Sequence, residues 1–441
     1  MDSAEPAGAG SVWGLGHRFW RLAASAGASN LADGVFKLAL PLAAITFTRS
    51  PTLVAGLELV RSLPWLLFAL PVGALADRLD RRHTMIAANF ARTVLVATLA
   101  VMVQAGSGSM ALLYLVAAGT GTAEVFYDTS NQSILPSLVE REQLGRANGR
   151  LGAIELGTQQ FVGPPLAGLL VGLALAAAFW TTTALWVIAI GALWALRGSF
   201  RPARTTAPAG IRADIAEGVR FLISRPVLRT MAVMVGVANL AASATGAVLV
   251  LYAVGNDSIL GLDQAQFGFL FLTAAAGSIA ATFVNEHIEA RLGRSRTLTL
   301  TVVGMVLFTG TPAITTNVWI IAAAMFTGGA FIMIWNIITV SFRQAVTPDH
   351  LLGRLNSVYR LLAWGTMPIG AAIGGLIAEA FGLRAVFASM GILAATLFIP
   401  NHTITDARLD QAEHTDPDPH PMTRCDSSAM GTVGWASMPR P

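Results

Sequence analysis

The sequence of 441 residues has little charge. Asp, Glu, Lys and Arg together make up 12% of it, whereas roughly 25% is usual in a soluble domain. A soluble protein of this length needs more charge to cover its surface, so that class is excluded. Cysteine is also scarce, since Cys425 is the only one, which excludes an intrachain disulfide and a cysteine metal site. The seven histidines form no ligand pair in the sequence, and we expect neither a metal nor a cofactor.

Sequence motifs of several enzyme and binding classes are missing as well. No G-x-x-x-x-G-K-S/T phosphate-binding loop occurs, which excludes ATP hydrolysis as an energy source in this chain. The hydrolase patterns G-x-S-x-G and H-E-x-x-H are missing too, so we expect no enzyme activity. Lys37 is the only lysine, and no basic run alternates with aromatic residues, which disfavours a nucleic-acid partner. No secretory signal of the usual layout is present.

Apolar residues are abundant instead, at 54% of the chain, and the mean hydropathy is +0.61. They form repeated stretches of about 20 residues, each long enough to cross a hydrocarbon core of roughly 30 Å as a helix. This pattern predicts an all-helical membrane protein with twelve spans. The predicted spans are residues 29–48, 53–76, 84–104, 110–132, 150–174, 176–197, 226–253, 265–288, 297–316, 318–342, 355–380 and 383–400.

The joins between these spans alternate in charge. Those after the odd-numbered spans hold only two basic residues, Arg49 and Arg384, whereas the other joins are rich in arginine. Basic loops stay in the cytoplasm by the positive-inside rule. We therefore expect a multi-pass protein of the plasma membrane whose two termini are both cytoplasmic, working as a monomer in the lipid bilayer.

Four short sequence matches recur about 210 residues apart and in the same order. They pair SNLADG (29–34) with ANLAAS (238–243), RLDR (78–81) with RLGR (291–294), GRANGRL (145–151) with GRLNSVY (353–359), and GPPLAG (163–168) with GAAIGG (370–375). This agreement predicts two pseudo-symmetric six-helix bundles. The predicted divisions are a cytoplasmic segment (1–28), the first bundle (29–197), a cytoplasmic linker (198–225), the second bundle (226–400) and a disordered cytoplasmic tail (401–441).

The join between the second and third spans carries a recognisable motif. It reads GALADRLDRR over residues 73–82 and resembles the signature loop of the major facilitator superfamily, G-x-L-A-D-R-x-G-R-R/K, except that Asp80 replaces a glycine. The resemblance covers about residues 25–400 and implies the fold of that superfamily. Two further stretches, LADGVFKLALPLA and ILPSLVEREQLGRANG, are similar to its macrolide-efflux and enterobactin-exporter (transmembrane secretion effector) branch.

The signature loop implies a latch at the cytoplasmic side. Small Gly73 permits close helix approach. Asp77 is able to accept backbone N–H bonds from the N-terminus of a neighbouring helix, which in the superfamily is the eleventh. The alternative is that the arginines only set topology. Those arginines are Arg78, Arg81 and Arg82. We expect Asp128 of the fourth span to pair with Arg78 or Arg81.

A second motif lies in the fifth span. Gly163, Pro164, Ala167 and Gly168 resemble the G-P-x-x-G-G element of exporters that exchange substrate for protons, with Ala167 replacing one glycine. Pro164 lacks a backbone donor and clashes with the preceding turn, so we expect a bend near Gly163. The alternative is ordinary glycine and proline packing, since membrane helices are rich in both.

Several ionisable residues fall inside the predicted spans, where each costs roughly 2.5 to 3.5 kcal/mol. Asp33 and Lys37 are four residues apart, so they share one face of the first span and are able to pair. A carboxyl group in a low-dielectric cavity is able to bind and release a proton near neutral pH. The predicted proton carriers, in order, are Asp33, Glu124 and Glu155; a static pair of Asp33 with Lys37 is the alternative.

Polar and aromatic residues in other spans are candidates for lining a central cavity. Glu58 and Arg61 lie in the second span, nearer its extracellular end. The other candidates are Trp335, Asn336, Tyr359 and Arg360. For Arg360 the alternative is a side chain that extends to the cytoplasmic surface, and for the aromatics it is simple packing.

Taken together, the sequence predicts a secondary active transporter that exports a hydrophobic or amphipathic small molecule in exchange for protons by alternating access. A proton-symporting importer is the alternative within transporters, and the fifth-span motif disfavours it. A non-transporting membrane scaffold is the alternative outside them. The intramembrane carboxylates argue against a scaffold, because without a function they only reduce stability.

Overall fold

The computed structural model describes residues 14–76, 79–198, 200 and 211–414, and nearly all of them are helical. In this part of the chain, eleven helical stretches are long and apolar enough to cross a membrane. The helices are α1 (Gly16–Phe47), α2 (Pro51–Ala76), α3 (Arg81–Gln104), α4 (Met110–Ile134), α5 (Leu144–Glu155), α6 (Gly163–Leu173), α7 (Leu175–Ala195), α8 (Ile211–Ser224), α9 (Pro226–Ala253), α10 (Gln264–Leu292), α11 (Arg294–Ile314), α12 (Val318–Ala345), α13 (Asp349–Phe381), α14 (Leu383–Ala395), α15 (Phe398–Asn401) and α16 (Asp406–His414).

One of the twelve predicted crossings, the fifth along the chain, is not among these eleven stretches because it is interrupted. A π-helical segment, Leu156–Val162, joins α5 to α6, so this crossing is not one uninterrupted α-helix. The π turn ends at Gly163, and Pro164 and Pro165 follow it. A proline has no N–H for the preceding turn, so the backbone relaxes into a wider helix there. This change of helix type lies where the sequence predicts a bend.

The helices form two halves with repeated packing. In the N-terminal half (α1–α7), α3 packs between α4 and α7, and α2 packs on α4. In the C-terminal half (α9–α15), α11 packs in the same way between α12 and α14, and α10 packs on α12. The halves meet where α2 contacts α9 and α13, and where α6 contacts α10. The predicted fold class, an all-helical membrane protein of two six-helix bundles, is confirmed.

Two predicted boundaries differ from the structure. Helix α1 begins at Gly16, although the sequence predicts a separate segment over residues 1–28. The extra turns are held because Arg18 donates to the carbonyl of Arg197 at 3.3 Å and Arg21 donates to that of Ala195 at 2.7 Å. The backbone carbonyls at the C-terminal end of α7 have no partner within that helix, and these two bonds satisfy them.

The predicted disorder of residues 401–441 is wrong where that segment begins. Asp406–His414 form α16, and Leu409 on this helix is fully buried. Asp406 Oδ1 accepts from the backbone N–H of Ser295 at 2.9 Å, at the start of α11. The tail is polar, rich in proline and poor in aliphatic residues, so its composition gives no sign of this contact. Residues 415–441 of the predicted tail lie outside the described part of the chain.

The two ends of the helix bundle differ. We call the end where α2, α4, α7, α10 and α12 finish the arginine-rich end, and the opposite end the arginine-poor end. At the arginine-poor end the halves bind each other directly. Glu379 Oε2 of α13 accepts from the hydroxyl groups of Ser50 and Thr52, both at 3.1 Å, and Arg49 donates to the carbonyl of Val254 at 3.2 Å.

Candidate functional site

A network of charged side chains lies inside the N-terminal half. Glu124 of α4 is shared by two cations: Oε1 lies 3.1 Å from Lys37 Nζ and Oε2 lies 3.2 Å from Arg61 Nη1. Arg61 also binds Glu58 with both Nε and Nη2, at 2.9 and 2.7 Å. The side chains of Arg61 and Glu124 are each 12% exposed. At this depth, removing one partner would leave an uncompensated charge.

The predicted pair of Asp33 with Lys37 is wrong. Asp33 Oδ2 instead lies 3.5 Å from Nη1 of Arg92 on α3, while Lys37 binds Glu124 on α4. Residues four apart on a helix share a face. In a bundle that face meets two neighbouring helices, and each of these offers a partner of opposite charge.

Arg92 is a member of this site that sequence analysis did not identify. The residue is fully buried, and its guanidinium lies between the rings of Tyr127 and Trp186, 5.3 and 5.5 Å from their centroids. Its Nη1 also lies 3.4 Å from Asn89 Oδ1, while Nε and Nη2 have no hydrogen-bond partner. A signal was present, since an arginine within an apolar span is costly unless it has a partner.

Two further acids lie close to the network. Asp128 forms no ion pair with Arg81, although both side chains are described, and its other predicted partner, Arg78, lies outside the described residues. The charges that act on Asp128 include those of Glu124, Arg92, Asp33 and Lys37, and that of Arg360 on α13. Glu155, at the end of α5, is exposed and lies in the field of two cations. These cations are Lys37 and Arg360.

The fifth-span motif packs against both halves. A methyl group at Gly34 of α1 would lie 2.4 Å from the carbonyl oxygen of Gln159 in the π-helical segment, and one at Gly163 would lie 2.7 Å from Gly34 Cα. A methyl group at Gly168 would lie 2.3 Å from the carbonyl oxygen of Gln264 at the start of α10. Pro164 and Ala167 are buried as well. The motif therefore allows backbones to approach closely.

A cavity of about 700 Å³ lies towards the arginine-rich end. Four of the predicted lining residues are found in its wall: Trp335, Asn336, Tyr359 and Arg360. Glu58 and Arg61 are not among its lining residues, because they belong to the ion network. Arg360 Nη2 donates to Oε1 of Gln132 on α4 at 2.8 Å. This bond joins the two halves beside the cavity.

The comparisons with known proteins agree with this architecture. The chain matches the transmembrane secretion effector family over residues 19–428. The chain belongs to this family. It is 26% identical over 388 residues to the multidrug efflux pump Tap of Mycolicibacterium fortuitum, which covers 84% of this chain and 90% of that pump. It is 27% identical over 384 residues to Tap of Mycobacterium tuberculosis, covering 82% of this chain and 87% of that pump.

Among solved structures, a variant of the nucleoside transporter NupG has the same fold. Its TM-score is 0.69 at 12% identity, and the match covers 88% of this chain and 99% of NupG. The predicted branch of the major facilitator superfamily is therefore confirmed. The chain is a multi-pass membrane transporter, and its family and fold are those of transporters and not of enzymes.

The signature loop of this secretion effector is described only in part. Asp77 and Arg78, which carry the predicted latch, lie outside the described residues, and Gly73 lies in the last turn of α2. Arg82 donates to the carbonyls of Leu193 and Trp194, at 2.8 and 3.1 Å, near the end of α7. Arg82 therefore stabilises a helix end within its own half.

Asp80 replaces the glycine of the superfamily pattern and stabilises the start of α3. It caps α3 by accepting from the backbone N–H of His83 at 3.1 Å, and it accepts from that of Phe200 at 3.0 Å. Although burial alone would raise the pKa of this carboxyl, the two N–H donors and His83 hold it below its ordinary value. Sequence analysis noted Asp80 as a departure from the pattern but did not identify this cap.

Proposed function

We propose that the chain is a secondary active exporter of the plasma membrane. It expels a hydrophobic or amphipathic small molecule, such as a drug, an antibiotic or a siderophore, in exchange for protons. Membership of the secretion effector family and the similarity to the multidrug efflux pumps Tap support an efflux function. Two similar halves around a cavity are the architecture that alternating access requires.

The distribution of arginines supports an orientation. The positive-inside rule assigns the arginine-rich end, with both termini, to the cytoplasm. The contacts of Glu379 with Ser50 and Thr52 then close the extracellular side. The cavity lies at the cytoplasmic side, where an exporter collects its substrate.

The observation that carries the proton coupling is the charge imbalance of the buried network. It holds three cations, Lys37, Arg61 and Arg92. It holds four acids, Asp33, Glu58, Glu124 and Asp128. Arg360 and Glu155, which act on each other and on this network, add one charge of each sign and leave the imbalance unchanged. One acid in excess favours the uptake of one proton, because an unpaired buried charge is costly. Among the described residues, Asp128 is the acid of this network for which no ion pair is found, and the charge of Asp33 acts on it, so the extra proton is shared between these two acids. Among the predicted carriers, Glu124 is held by two cations, whereas Asp33 has a single, longer pair with Arg92, so Asp33 remains the first candidate carrier.

The position of Asp33 links its charge to the helix packing. The next residue, Gly34, contacts the π-helical segment at Gln159 and the motif at Gly163. Protonation of Asp33 removes its attraction to Arg92 and allows α1 to move relative to α3. Because α1 and the fifth crossing touch without intervening side chains, such a movement changes the packing of α6 on α10 between the halves.

Transport into everted membrane vesicles tests this function. Dyes and antibiotics are offered with an imposed pH gradient, with and without a protonophore, for the parent chain, Asp33→Asn and the matched control Glu286→Gln, an exposed acid of α10. We expect uptake that the protonophore abolishes in the parent and control, and uptake that no longer responds to the gradient in Asp33→Asn. Unchanged gradient dependence in Asp33→Asn would eliminate this carrier, and substrate movement in the opposite direction would indicate an importer.

A further inference from the structure

The cavity wall has an unusual combination of side chains. Among the described residues that line it, two carry a positive charge, Arg343 and Arg360, and none is an Asp or Glu. Its aromatic members are Trp65, Phe331, Trp335, Tyr359 and Trp364. The acids of the N-terminal half form their own network, so they do not line this space. The wall therefore presents positive charge and flat apolar surfaces together.

No carboxylate among the side chains that the structure describes forms an ion pair with Arg343. Its guanidinium carbon lies 4.2 Å from the centroid of the Tyr359 ring, and its buried Nε has no hydrogen-bond partner. The ionisable groups that act on it are Tyr359 and Arg360, and neither is an acid that is charged at neutral pH. A guanidinium in this position has unused donors in a fixed planar arrangement, which matches the oxygens of an acidic group.

Arg360 of α13, the residue after Tyr359, lines the same cavity. It donates one bond to Gln132 at 2.8 Å, and its guanidinium carbon lies 5.0 Å from the centroid of the Trp364 ring. The acids that act on it, Asp128 and Glu155, belong to the N-terminal half and are not among the lining residues. Two arginines that act on each other inside one cavity repel, and an anion between them relieves that repulsion.

The aromatic part of the wall fits a flat molecule. Trp65 of α2 and Trp364 of α13 pack edge to face, with ring centroids 4.3 Å apart, so both halves contribute to one aromatic surface. Planar aromatic groups stack favourably on such rings. The volume of about 700 Å³ is in the range of small-molecule sites.

We infer that this cavity is a binding site for planar aromatic anions, that is, amphipathic molecules with a flat apolar body and a carboxylate, sulfonate or phenolate group, and that it disfavours lipophilic cations. The binding preference depends only on the cavity. Its importance for transport rests on the proposed export function.

Two dyes with the same xanthene core and opposite charge test the inference. Fluorescein is an anion at neutral pH, and rhodamine 6G is a cation. Equilibrium binding to the purified full-length chain in nanodiscs is measured by fluorescence anisotropy. We expect fluorescein to bind at least about tenfold more tightly than rhodamine 6G, since one charge-assisted hydrogen bond supplies that difference. Equal or tighter binding of rhodamine 6G, or no measurable binding of fluorescein, would overturn the inference.

Substitutions test whether the two arginines cause the preference for anions. Arg343→Gln and Arg360→Gln are each expected to weaken fluorescein binding about tenfold. Arg360→Lys keeps the positive charge but not the planar guanidinium group, so it should weaken fluorescein binding less than Arg360→Gln does. The matched control Arg229→Gln changes an exposed arginine of α9 outside the cavity and should bind as the parent does. Thermal unfolding of each variant checks its fold, and fluorescein affinity unaffected in both folded Gln variants would contradict the assignment.

Uptake of the two dyes by everted vesicles separates this inference from the proposed function. Arginine-dependent fluorescein binding without uptake would reject export and leave the binding site intact. Energised uptake of rhodamine 6G without uptake of fluorescein would support export and reject the anion preference. Uptake of fluorescein that Arg360→Gln reduces, with Arg229→Gln unchanged, would support both.

Discussion

Asp33 of α1 lies 3.5 Å from Arg92 of α3, and both side chains are buried. This pair places an acid and a base within the membrane-spanning body, next to the glycine contact between α1 and the fifth crossing. A buried ion pair contributes little net stability, because desolvation offsets the attraction between its charges. In the proposed function, this pair changes its charge during the transport cycle.

Replacement of Arg92 should be strongly destabilising. Arg92→Gln leaves Asp33 buried without its cation, and we expect a loss of roughly 3 to 5 kcal/mol in the free energy of unfolding. The double variant Asp33→Asn, Arg92→Gln removes both charges and should recover part of that loss. Thermal unfolding of the purified variants measures this, and strictly additive effects would show that the two residues are not coupled.

Glu124 should matter more for stability than Glu58. Glu124 is shared by Lys37 and Arg61 and its side chain is 12% exposed, whereas Glu58 binds Arg61 alone and is 27% exposed. Glu124→Gln leaves two cations short of a partner, so its melting temperature should fall further than that of Glu58→Gln. The reverse order in a thermal unfolding experiment would argue against the network described above.

The contact of Gly34 with the π-helical segment limits the size of the side chain at position 34. Gly34→Ala places a methyl group 2.4 Å from the Gln159 carbonyl oxygen, and we expect a loss of about 1 to 3 kcal/mol from overpacking, with reduced transport. Gly157→Ala is the matched control within that segment, because nothing lies within 4 Å of the added methyl group. Vesicle uptake compares the two, and a Gly34→Ala variant as active as Gly157→Ala would refute the close contact.

Asp80 predicts a pH dependence of stability. Its pKa is lower in the folded chain than its ordinary value, so its contribution is present above that ordinary value, which is about 4. The contribution is lost as the pH falls from there through the lower folded pKa. The melting temperature of the parent should therefore approach that of Asp80→Asn as the pH falls below about 4. A difference that stays constant from neutral to acid pH would contradict this.

The twelve spans could be predicted because the bilayer requires long apolar runs, and the sequence shows such runs regardless of how the helices pack. Helix ends were less predictable. The first turns of α1 and the tail helix α16 carry few apolar residues and are ordered by specific contacts, such as those of Arg21 with the end of α7 and Asp406 with the start of α11. A hydropathy profile of the sequence does not indicate such contacts.

Most residues of the candidate site could be predicted, with the exception of Arg92, but their pairs could not. Burial of a charge in a span indicates that it needs a partner, and this identified Asp33, Lys37 and Glu124. Which partner it binds depends on the rotation of each helix, so Asp33 was matched with the wrong cation. The acid-free wall of the cavity likewise depends on which helix faces point inward. The sequence of each span taken separately does not predict which faces of the helices point into the cavity.

The central claim is that a proton on the buried acids of the N-terminal half drives export. The most direct test is substrate-induced proton movement in proteoliposomes that contain the purified chain and a pH-sensitive dye. The account predicts that a transported substrate causes proton flux in the opposite direction in the parent and in Glu286→Gln, and that Asp33→Asn abolishes this flux while still binding substrate. Substrate transport without any proton movement in the parent, or full proton flux in Asp33→Asn, would contradict it.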